Sequence, residues 1–304
     1  MPDTQIASLV ARLEPALGPL SGEPVPLDGG ITNRNFRVVL GDGEYVVRIA
    51  GRDTSLLGIS RTAERDATAA AAAAGVAPEV AAFLEDAGCL VTRFIPGRPV
   101  TTAELVDDGP LGEVAAALRA IHGGPALPTR FDAFRLVEQF RATALERGGD
   151  IPAAYGRAQA IAGAIEPVLV GPEHRLVPCH NDLLTANFIH DGTRVRIVDW
   201  EYAGMGDRYF DLANLSVNNG FDEAADARLL GLYFEEAPTP RRFACLRLMR
   251  VMSDFREAMW GVVQTTVSEL DFDFAAYAAE HFARLEQSAA DPRFPTWLED
   301  ARGH

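Results

Sequence analysis

The sequence predicts an α+β fold in two lobes, with an antiparallel sheet and one helix in the N-lobe and a mostly helical C-lobe. Over roughly the first 95 residues, short apolar runs are separated by turn residues, which is typical of hairpins. Further along, apolar residues recur mainly at helical spacing. Between these regions, Ile95-Pro96-Gly97-Arg98-Pro99 combines residues that interrupt regular structure. We therefore place the N-lobe at residues 1–95, the C-lobe at residues 96–304, and the hinge at this segment.

Within the N-lobe, helices are predicted over residues 4–17 and from about 59 to 74, where Gly75 and Pro78 end the helical pattern. Gly41-Asp42-Gly43 is a hairpin turn signal, and Glu85-Asp86-Ala87-Gly88 separates another pair of strands. The strand-like runs cover residues 24–28, 35–40, 44–50, 79–84 and 89–94.

The C-lobe is predicted to be helical except around residues 188–199, which have strand character. The tail, residues 291–304, contains proline and charge, and we expect it to be loosely packed. Helical spacing is found near residues 101–123, 133–148, 153–170, 208–219, 222–235, 239–267 and 273–289.

Composition excludes several classes of partner. The net charge of −15 disfavours nucleic acid, whose binding depends on basic side chains that neutralise phosphates. It also disfavours a polybasic membrane contact. No segment approaches the roughly 18 apolar residues of a membrane span, so no membrane insertion is expected. The oligomeric state is left open by the sequence.

The three cysteines indicate a cytoplasmic location. Cys89, Cys179 and Cys245 are far apart and form no paired motif, so they predict neither a zinc site nor a disulfide framework. They fit a reducing compartment. The first 20 residues lack the continuous apolar core of a signal peptide.

The most informative segment has the layout of a phosphotransferase catalytic loop. His180, Asp182 and Asn187 reproduce the His-x-Asp-x-x-x-x-Asn spacing of protein kinases. A hairpin that turns at Asp191-Gly192 then leads to Asp199. Asp182 would orient the acceptor hydroxyl and accept its proton, and His180 would brace the loop. The hairpin would bring Asn187 and Asp199 together to hold Mg²⁺, which prefers oxygen ligands.

A nucleotide site is predicted in the N-lobe. In Gly29-Gly30-Ile31-Thr32-Asn33, the glycines would let backbone amides approach phosphate oxygens. The chain has no lysine, so Arg48, in an apolar strand, is the candidate phosphate-binding cation. A charge there needs a partner, and Glu64 in the following helix is the best candidate. Arg93, Phe94 and Ile95 would contact the adenine, mainly through backbone groups. An alternative is that Arg48 faces solvent on an edge strand.

Taken together, these segments resemble the choline/ethanolamine kinase branch of the aminoglycoside-phosphotransferase-like kinases. The resemblance covers roughly residues 28–286 and includes the glycine loop, Arg48 and the catalytic loop. It also includes Asp199-Trp200-Glu201-Tyr202 and Tyr209-Phe210-Asp211-Leu212-Ala213-Asn214. The resemblance implies a bilobal protein-kinase-like fold that uses ATP and Mg²⁺. It also implies that Glu201 belongs to the metal motif and that Asp211 buttresses the catalytic loop.

The resemblance also implies an aromatic cage for a quaternary ammonium, formed by Tyr202, Trp260 and Tyr277. Ring faces attract cations without hydrogen bonds. Two cage positions differ, because the family has a glutamate where this chain has Asn218 and a tryptophan where it has Glu257. A carboxylate at 257 can accept hydrogen bonds and so favours an ammonium that carries N–H groups, unless it points to solvent.

These observations predict a kinase that phosphorylates the hydroxyl of choline, with a small amino alcohol as its molecular partner. Ethanolamine, thiamine and an aminoglycoside are alternative acceptors, and acidic residues of the 133–170 helices lining the pocket would favour the last. A catalytically silent protein that binds small cations is a further alternative. That alternative predicts the loss of Asp182, Asn187 or Asp199, and all three residues are present.

Overall fold

A twisted antiparallel sheet forms the first part of the molecule. The structure is a computed structural model that describes residues 4–27, 33–51 and 54–302. The five strands are arranged in the order β1-β2-β3-β5-β4, with all neighbours antiparallel. They are β1 (Leu20–Leu27), β2 (Asn33–Leu40), β3 (Gly43–Ala50), β4 (Val80–Leu84) and β5 (Cys89–Arg93).

The alternating pattern of β3 explains the orientation of its side chains. Tyr45, Val47 and Ile49 are buried on the face that packs against helix α1 (Thr4–Leu17). Because successive residues of a strand point to opposite faces, Arg48 lies on the other face, toward the helical part of the molecule. β3 is central in the sheet, so the solvent-facing alternative for Arg48 is wrong.

Helix α2 (Arg61–Ala73) is inserted between β3 and β4 and connects the sheet to the rest of the molecule. Ser60 caps it, and Glu64 is buried in its first turn. Ala67 and Ala71 on α2 belong to the larger apolar cluster, which is formed mainly by the helical half, rather than to the cluster beneath the sheet. After α2, the backbone amide of Ile197 donates to Val76 O at 3.0 Å.

Eight further helices form the second part of the molecule, as far as the structure describes it. They are α3 (Asp108–His122), α4 (Ala133–Glu146), α5 (Ala154–Ile165), α6 (Arg208–Asn218), α7 (Glu223–Phe234), α8 (Pro240–Val267), α9 (Phe274–Ala289) and α10 (Phe294–Arg302). Seven were predicted, five of them within a few residues of their observed limits, whereas α3 begins later than residue 101 and α5 ends before residue 170.

The expectation of a loosely packed tail is wrong, because α10 forms a helix within it. Pro295 lies in the first turn, where a missing amide hydrogen costs nothing. Trp297 is buried, and the guanidinium of Arg293 lies 5.4 Å from the centre of its ring. Trp297 and Ala301 are buried where this short helix packs on α8.

Short strands position the loops of the second part. The predicted strand region at 188–199 is confirmed as the hairpin β8–β9, and β6 pairs with β8. β7 and β10 pair separately. Their limits are β6 (Arg98–Pro99), β7 (Val177–Cys179), β8 (Phe188–His190), β9 (Val195–Ile197) and β10 (Gly204–Gly206).

The architecture is the predicted α+β fold, a sheet followed by a helical half. The lobe boundary at residue 95 stays a prediction, and α2 joins the core of the second half. No helix in the described ranges is both long and apolar enough to cross a membrane.

Candidate active site

A cleft of about 470 Å³ lies between the sheet and the helices. Arg48 and Glu64 line it from the sheet side, and Asp182, Asn187 and Asp199 line it from the helical side. The structure therefore brings together residues that are up to 151 positions apart in the chain.

The catalytic loop is fixed by buried hydrogen bonds to helix α6. The backbone amides of His180 and Asn181 donate to the two carboxylate oxygens of Asp211 at 2.8 and 2.6 Å. Asp211 is itself 3.0 Å from His122 Nε2, and His122 Nδ1 is 2.6 Å from the Tyr233 hydroxyl. Sequence reasoning missed His122, whose partner is 89 residues away.

His180 is placed to brace the loop in its neutral form. The Asp182 amide donates to His180 Nδ1 at 3.2 Å, so the ring proton lies on Nε2, which contacts Val198 O at 3.0 Å. Burial lowers the pKa of His180, which also favours the neutral ring. With both nitrogens engaged in this way, the ring has no free site to accept a proton from a substrate.

Two residues of the site have left-handed backbone conformations. Asn181 and Asp199 both have φ of 68°. Asparagine and aspartate tolerate this region better than most residues, but it remains uncommon. The side-chain amide of Asn181 donates to Tyr202 O at 3.0 Å, which ties the catalytic loop to the segment after Asp199. Such strain commonly occurs where side chains must be aimed at a ligand.

The β8–β9 hairpin places Asn187 next to Asp199. The backbone amide of Val198 donates to Asn187 O at 3.0 Å. The side-chain nitrogen of Asn187 donates to Asp182 O at 2.9 Å, so its Oδ1 is the atom left for a ligand. An amide oxygen and a carboxylate at the same place form a donor set that suits a hard cation such as Mg²⁺.

Arg48 connects the sheet to this donor set. Its Nη1 lies 2.7 Å from Glu64 Oε1 and 2.6 Å from Asp199 Oδ1. Burial alone would raise the pKa of Asp199, but the adjacent Arg48 outweighs it and lowers that pKa. Burial favours the neutral form of Arg48, but the carboxylates of Asp199 and Glu64 raise its pKa. Both groups are therefore charged at neutral pH.

A second arginine, Arg61, was missed by sequence reasoning. Its Nη1 lies 2.6 Å from Glu64 Oε2 and 3.0 Å from Glu201 Oε2, and its Nη2 donates to Asn33 Oδ1 at 2.9 Å. Asn33 also donates to Glu201 Oε2 at 2.8 Å. Burial, followed by the charge of Asp199, raises the pKa of Glu201. The three-residue spacing between Arg61 and Glu64 was the available sequence signal.

Most of the predicted glycine loop lies outside the residues that the structure describes. Gly29, Gly30 and Thr32 lie outside the described residues, and Asn33 is the first described residue after them. At the other end of the cleft, Arg93, Phe94 and Ile95 line the wall. The amides of Arg93 and Phe94 bond to Glu79 O and Glu44 O, which leaves Ile95 as the candidate donor to an adenine.

The three predicted cage residues lie close together. Trp260 Nε1 donates to the Tyr202 hydroxyl at 3.0 Å. The rings of Trp260 and Tyr277 have centroids 5.6 Å apart at 70°. All three line the same cleft as Asp182. Phe272, half-exposed and 6.0 Å from the Tyr277 ring, extends this aromatic group and was not predicted.

Glu257 points into the cleft and not to solvent. It is 4% exposed, and Tyr277 donates its hydroxyl to Glu257 Oε2 at 2.9 Å. Its other oxygen accepts a hydrogen bond from Arg256, which sequence reasoning did not consider. Arg256 Nη1 also lies 3.3 Å from Asp182 Oδ1. The available signal for Arg256 was its place between Asp254 and Glu257 in the middle of a long predicted helix.

Burial determines the electrostatics of Asp182. Desolvation raises the pKa of Asp182 to about 8, although Arg256 acts in the opposite direction. Glu257, Asp199 and Glu201 raise it further. A carboxyl group with a pKa near neutrality suits proton transfer, since a general base works best close to its operating pH.

One predicted substrate residue lies elsewhere. Asn218, at the end of α6, is not part of the cleft wall formed by the described residues. Its neighbour Asn219 instead supports the catalytic loop, donating to Leu183 O at 3.3 Å and contacting the Thr185 hydroxyl. A role of Asn218 in substrate binding therefore stays a prediction, without a contact that favours it.

Comparisons with known proteins show the family to which the chain belongs. Residues 23–246 match the phosphotransferase enzyme family. The crystal structure of a choline/ethanolamine kinase family protein from Mesorhizobium loti has 31% sequence identity and a TM-score of 0.83, and the alignment covers 100% of both chains.

Two sequence relatives are more distant or match over a shorter region. Protein LicA of Haemophilus influenzae is 26% identical over 67% of this chain. Human ethanolamine kinase 2 is 33% identical over 36% of this chain. The match spans 61% of the length of LicA and 34% of the length of the human enzyme. The chain belongs to the phosphotransferase enzyme family, in the branch of choline/ethanolamine kinase-like small-molecule phosphotransferases.

Proposed function

We propose that this chain is an ATP- and Mg²⁺-dependent kinase that phosphorylates the hydroxyl of a small amino alcohol. The observation that carries the proposal is the arrangement of Asp182 in one cleft. Asn187, Asp199 and the aromatic group of Tyr202, Trp260 and Tyr277 line the same cleft as Asp182. One cleft thus holds a donor set for a metal–nucleotide complex, a carboxylate, and rings that suit a small cation.

Each polar group would have a separate task. Asp182 would orient the acceptor hydroxyl and remove its proton as the new oxygen–phosphorus bond forms. Asn187 and Asp199 would hold Mg²⁺, which supplies charge neutralisation on the phosphates. Arg48, positioned by Glu64, would bind phosphate oxygens. His180 and Asp211 would keep the loop in place, since positioning provides much of the rate in phosphoryl transfer.

The aromatic group favours choline as one candidate acceptor. A quaternary ammonium binds to ring faces, and each such contact contributes about 0.5–2 kcal/mol. The buried carboxylate of Glu257 favours ethanolamine as a second candidate, because its ammonium can donate hydrogen bonds. The names of the relatives, choline/ethanolamine kinase and ethanolamine kinase 2, support this pair of candidates.

The aminoglycoside alternative loses its expected support. No acidic residue between positions 133 and 170 is found among the described residues that line the cleft. Glu138 and Glu166 instead pair with Arg135 on the surface. A polycationic acceptor would therefore lack the acidic lining that these helices were expected to supply.

The test is coupled ADP release with ATP and Mg²⁺, comparing choline, ethanolamine and an aminoglycoside. We expect acceptor-dependent turnover with at least one of the amino alcohols. Asp182→Asn is the control, and its turnover should fall by about 10²- to 10⁴-fold because the general base is lost. Binding of ATP by this variant should persist.

Three results would contradict the proposal in whole or in part. Near-normal turnover by Asp182→Asn would remove Asp182 from the mechanism. Binding of ATP and choline without any ADP release in the wild-type protein would favour a silent protein that binds small cations. Turnover with an aminoglycoside, but with neither amino alcohol, would support the kinase mechanism and contradict the proposed acceptor class.

A further inference from the structure

A cation that belongs to the protein lies inside the predicted acceptor pocket. The guanidinium carbon of Arg256 is 4.3 Å from the centre of the Tyr202 ring. A cation at this distance from a ring makes the same kind of contact as a bound quaternary ammonium. One face of Tyr202 is therefore already occupied by a permanent positive charge.

Several interactions hold Arg256 in this position. The residue is 1% exposed, its Nη1 pairs with Glu257, and the same atom lies 3.3 Å from Asp182. If the side chain left the pocket, both carboxylates would lose their compensating charge in a buried environment. The guanidinium is therefore a fixed part of the acceptor pocket that a substrate has to accommodate.

Glu257 retains capacity for a substrate. A carboxylate offers about four acceptor positions. Arg256 uses Oε1, and the Tyr277 hydroxyl uses Oε2. An ammonium with N–H groups can donate to the remaining positions, whereas a quaternary ammonium has no hydrogen to donate.

We propose that Arg256 is a specificity-determining residue that makes this pocket prefer amino alcohols with N–H groups over quaternary ones. The inference rests on the proposed function and refines its acceptor. Repulsion by the guanidinium affects both kinds of cation, but only an N–H donor offsets it through a charge-assisted hydrogen bond to Glu257. A quaternary cation depends on ring faces and finds one face of Tyr202 already taken.

The direct test is a methylation series that leaves the charge unchanged. Ethanolamine, N-methylethanolamine, N,N-dimethylethanolamine and choline carry an ammonium with progressively fewer N–H groups and finally none. We expect kcat/KM, measured by ADP release above the acceptor-free background, to fall along the series. The last methyl should cause the largest step, about tenfold or more, because it removes the last hydrogen-bond donor.

Arg256→Met tests the residue itself, since it removes the charge and keeps an extended side chain. We expect the ratio of kcat/KM for choline to that for ethanolamine to rise by about tenfold or more. Any general loss from the missing contact to Asp182 cancels in this ratio. Arg256→Lys, which keeps the charge, should retain the wild-type preference. Arg250→Met, on the same helix but paired with Asp226, should leave the ratio unchanged.

The outcomes separate this inference from the proposed function. Choline turnover equal to or better than ethanolamine turnover in the wild type would overturn the inference and leave the kinase assignment intact. An unchanged ratio in folded Arg256→Met would also overturn it. If Arg256→Met does not fold, the test is calorimetric titration of the wild-type protein with choline and with ethanolamine in the presence of ADP. A lower Kd for choline than for ethanolamine would overturn the inference. Absence of turnover with all four acceptors would overturn both proposals.

Discussion

Asp182 combines a catalytic position with an unfavourable electrostatic environment. Its folded-state pKa of about 8 lies above that of an unfolded aspartate, about 3.9. Between these two values the native state retains a proton that the unfolded chain releases, so stability falls as pH rises. The buried carboxyl group of Asp182 therefore lowers the free energy of unfolding throughout the neutral pH range.

We expect Asp182→Asn, without ligands, to melt a few degrees higher than the wild type, roughly 2–5 °C, at pH 7.5. The difference should shrink towards pH 5 and disappear below about pH 4, where both states are protonated. Arg256 stays paired with Glu257 in this variant, so no charge is left unpaired. Melting curves followed by circular dichroism at several pH values measure the difference.

Asp191→Asn is a control for which we expect the opposite change in melting temperature. Hydrogen bonds from Thr193 lower the pKa of Asp191 to about 2, so its ionised form stabilises the native state. This stability is present above about pH 4 and is lost as pH falls towards 2. The variant should therefore melt lower than the wild type at pH 7.5. If the difference in melting temperature between Asp182→Asn and the wild type did not change with pH, the explanation by desolvation of Asp182 would be contradicted.

Trp260 connects two other aromatic residues of the acceptor site. Trp260→Ala removes a ring face and the hydrogen bond to the Tyr202 hydroxyl. We expect KM for the preferred amino alcohol to rise by about 2- to 30-fold, with a smaller change in kcat and in KM for ATP. Steady-state kinetics give these values. The control is Trp297→Phe in α10, which should leave KM for the acceptor unchanged. An unchanged KM in Trp260→Ala would remove Trp260 from the site.

At the scale of elements, the close contact of α8 and α9 shapes the acceptor pocket. A Cβ at Gly261 would lie 3.1 Å from both Phe274 O and Tyr277 Cδ1. Gly261 therefore lets α9 approach α8 closely enough to bring Tyr277 next to Trp260. The same helix carries Arg256 and Glu257, so most of the acceptor-side residues share one rigid support.

Gly261→Ala should shift Tyr277 by a few tenths of an ångström and weaken acceptor binding more than ATP binding. We expect KM for the acceptor to rise several-fold, by about 3- to 10-fold, because close-packed interiors transmit small displacements. Gly163→Ala on α5, where an added Cβ meets nothing within 4 Å, is the matched control. It should raise stability by about 0.5–1 kcal/mol and leave KM unchanged. Equal effects of both variants would contradict the packing argument.

The elements were largely predictable from sequence because their patterns are local. β2 and β3 are short runs with aromatic and β-branched residues on either side of a glycine turn, and α8 shows helical spacing over 28 residues. β6, β7 and β10 were missed because each has only two or three residues and exists through a partner distant in the chain. The strand order, with β5 between β3 and β4, also depends on long-range pairing.

The candidate site was predictable where residues that contact one another lie in the same sequence motif. Asp182, Asn187 and Asp199 are related by a single hairpin, and their spacing indicated their proximity. Arg61 was not predictable in the same way, because its partner Glu201 is 140 residues away. Arg256 was missed because the direction in which a buried arginine points depends on how α8 packs.

At the scale of the whole molecule, metal and nucleotide should stabilise the protein together. The cluster of Glu64, Asp199, Glu201, Arg48 and Arg61 carries a net charge of about −1 when all five are ionised. Nucleotide without metal would add further negative charge there. We therefore expect a larger rise in melting temperature with ATP and Mg²⁺ than with ATP and EDTA.

The rise with ATP and Mg²⁺ should be about 5 °C at ligand concentrations near 100 times Kd. Asp199→Asn and Asn187→Ala should lose the Mg²⁺-dependent part of this shift, because they remove proposed metal ligands. Asp108→Asn, at an exposed aspartate distant from the cleft, should keep it. A full Mg²⁺-dependent shift in Asp199→Asn would mean that the metal binds elsewhere.

The attachment of α2 to the larger core has a consequence for motion. Its C-terminal end is fixed to the β8–β9 hairpin through Val76 O, and Arg196 Nη1 donates to Gly75 O at 2.7 Å. α2 also packs against β4 and β5, so it joins the sheet to the helical half at the edge of the cleft. Opening of the cleft to admit a nucleotide would therefore have to break the ion pair between Arg48 on β3 and Asp199 after the hairpin, and this pair would form again when the cleft closes.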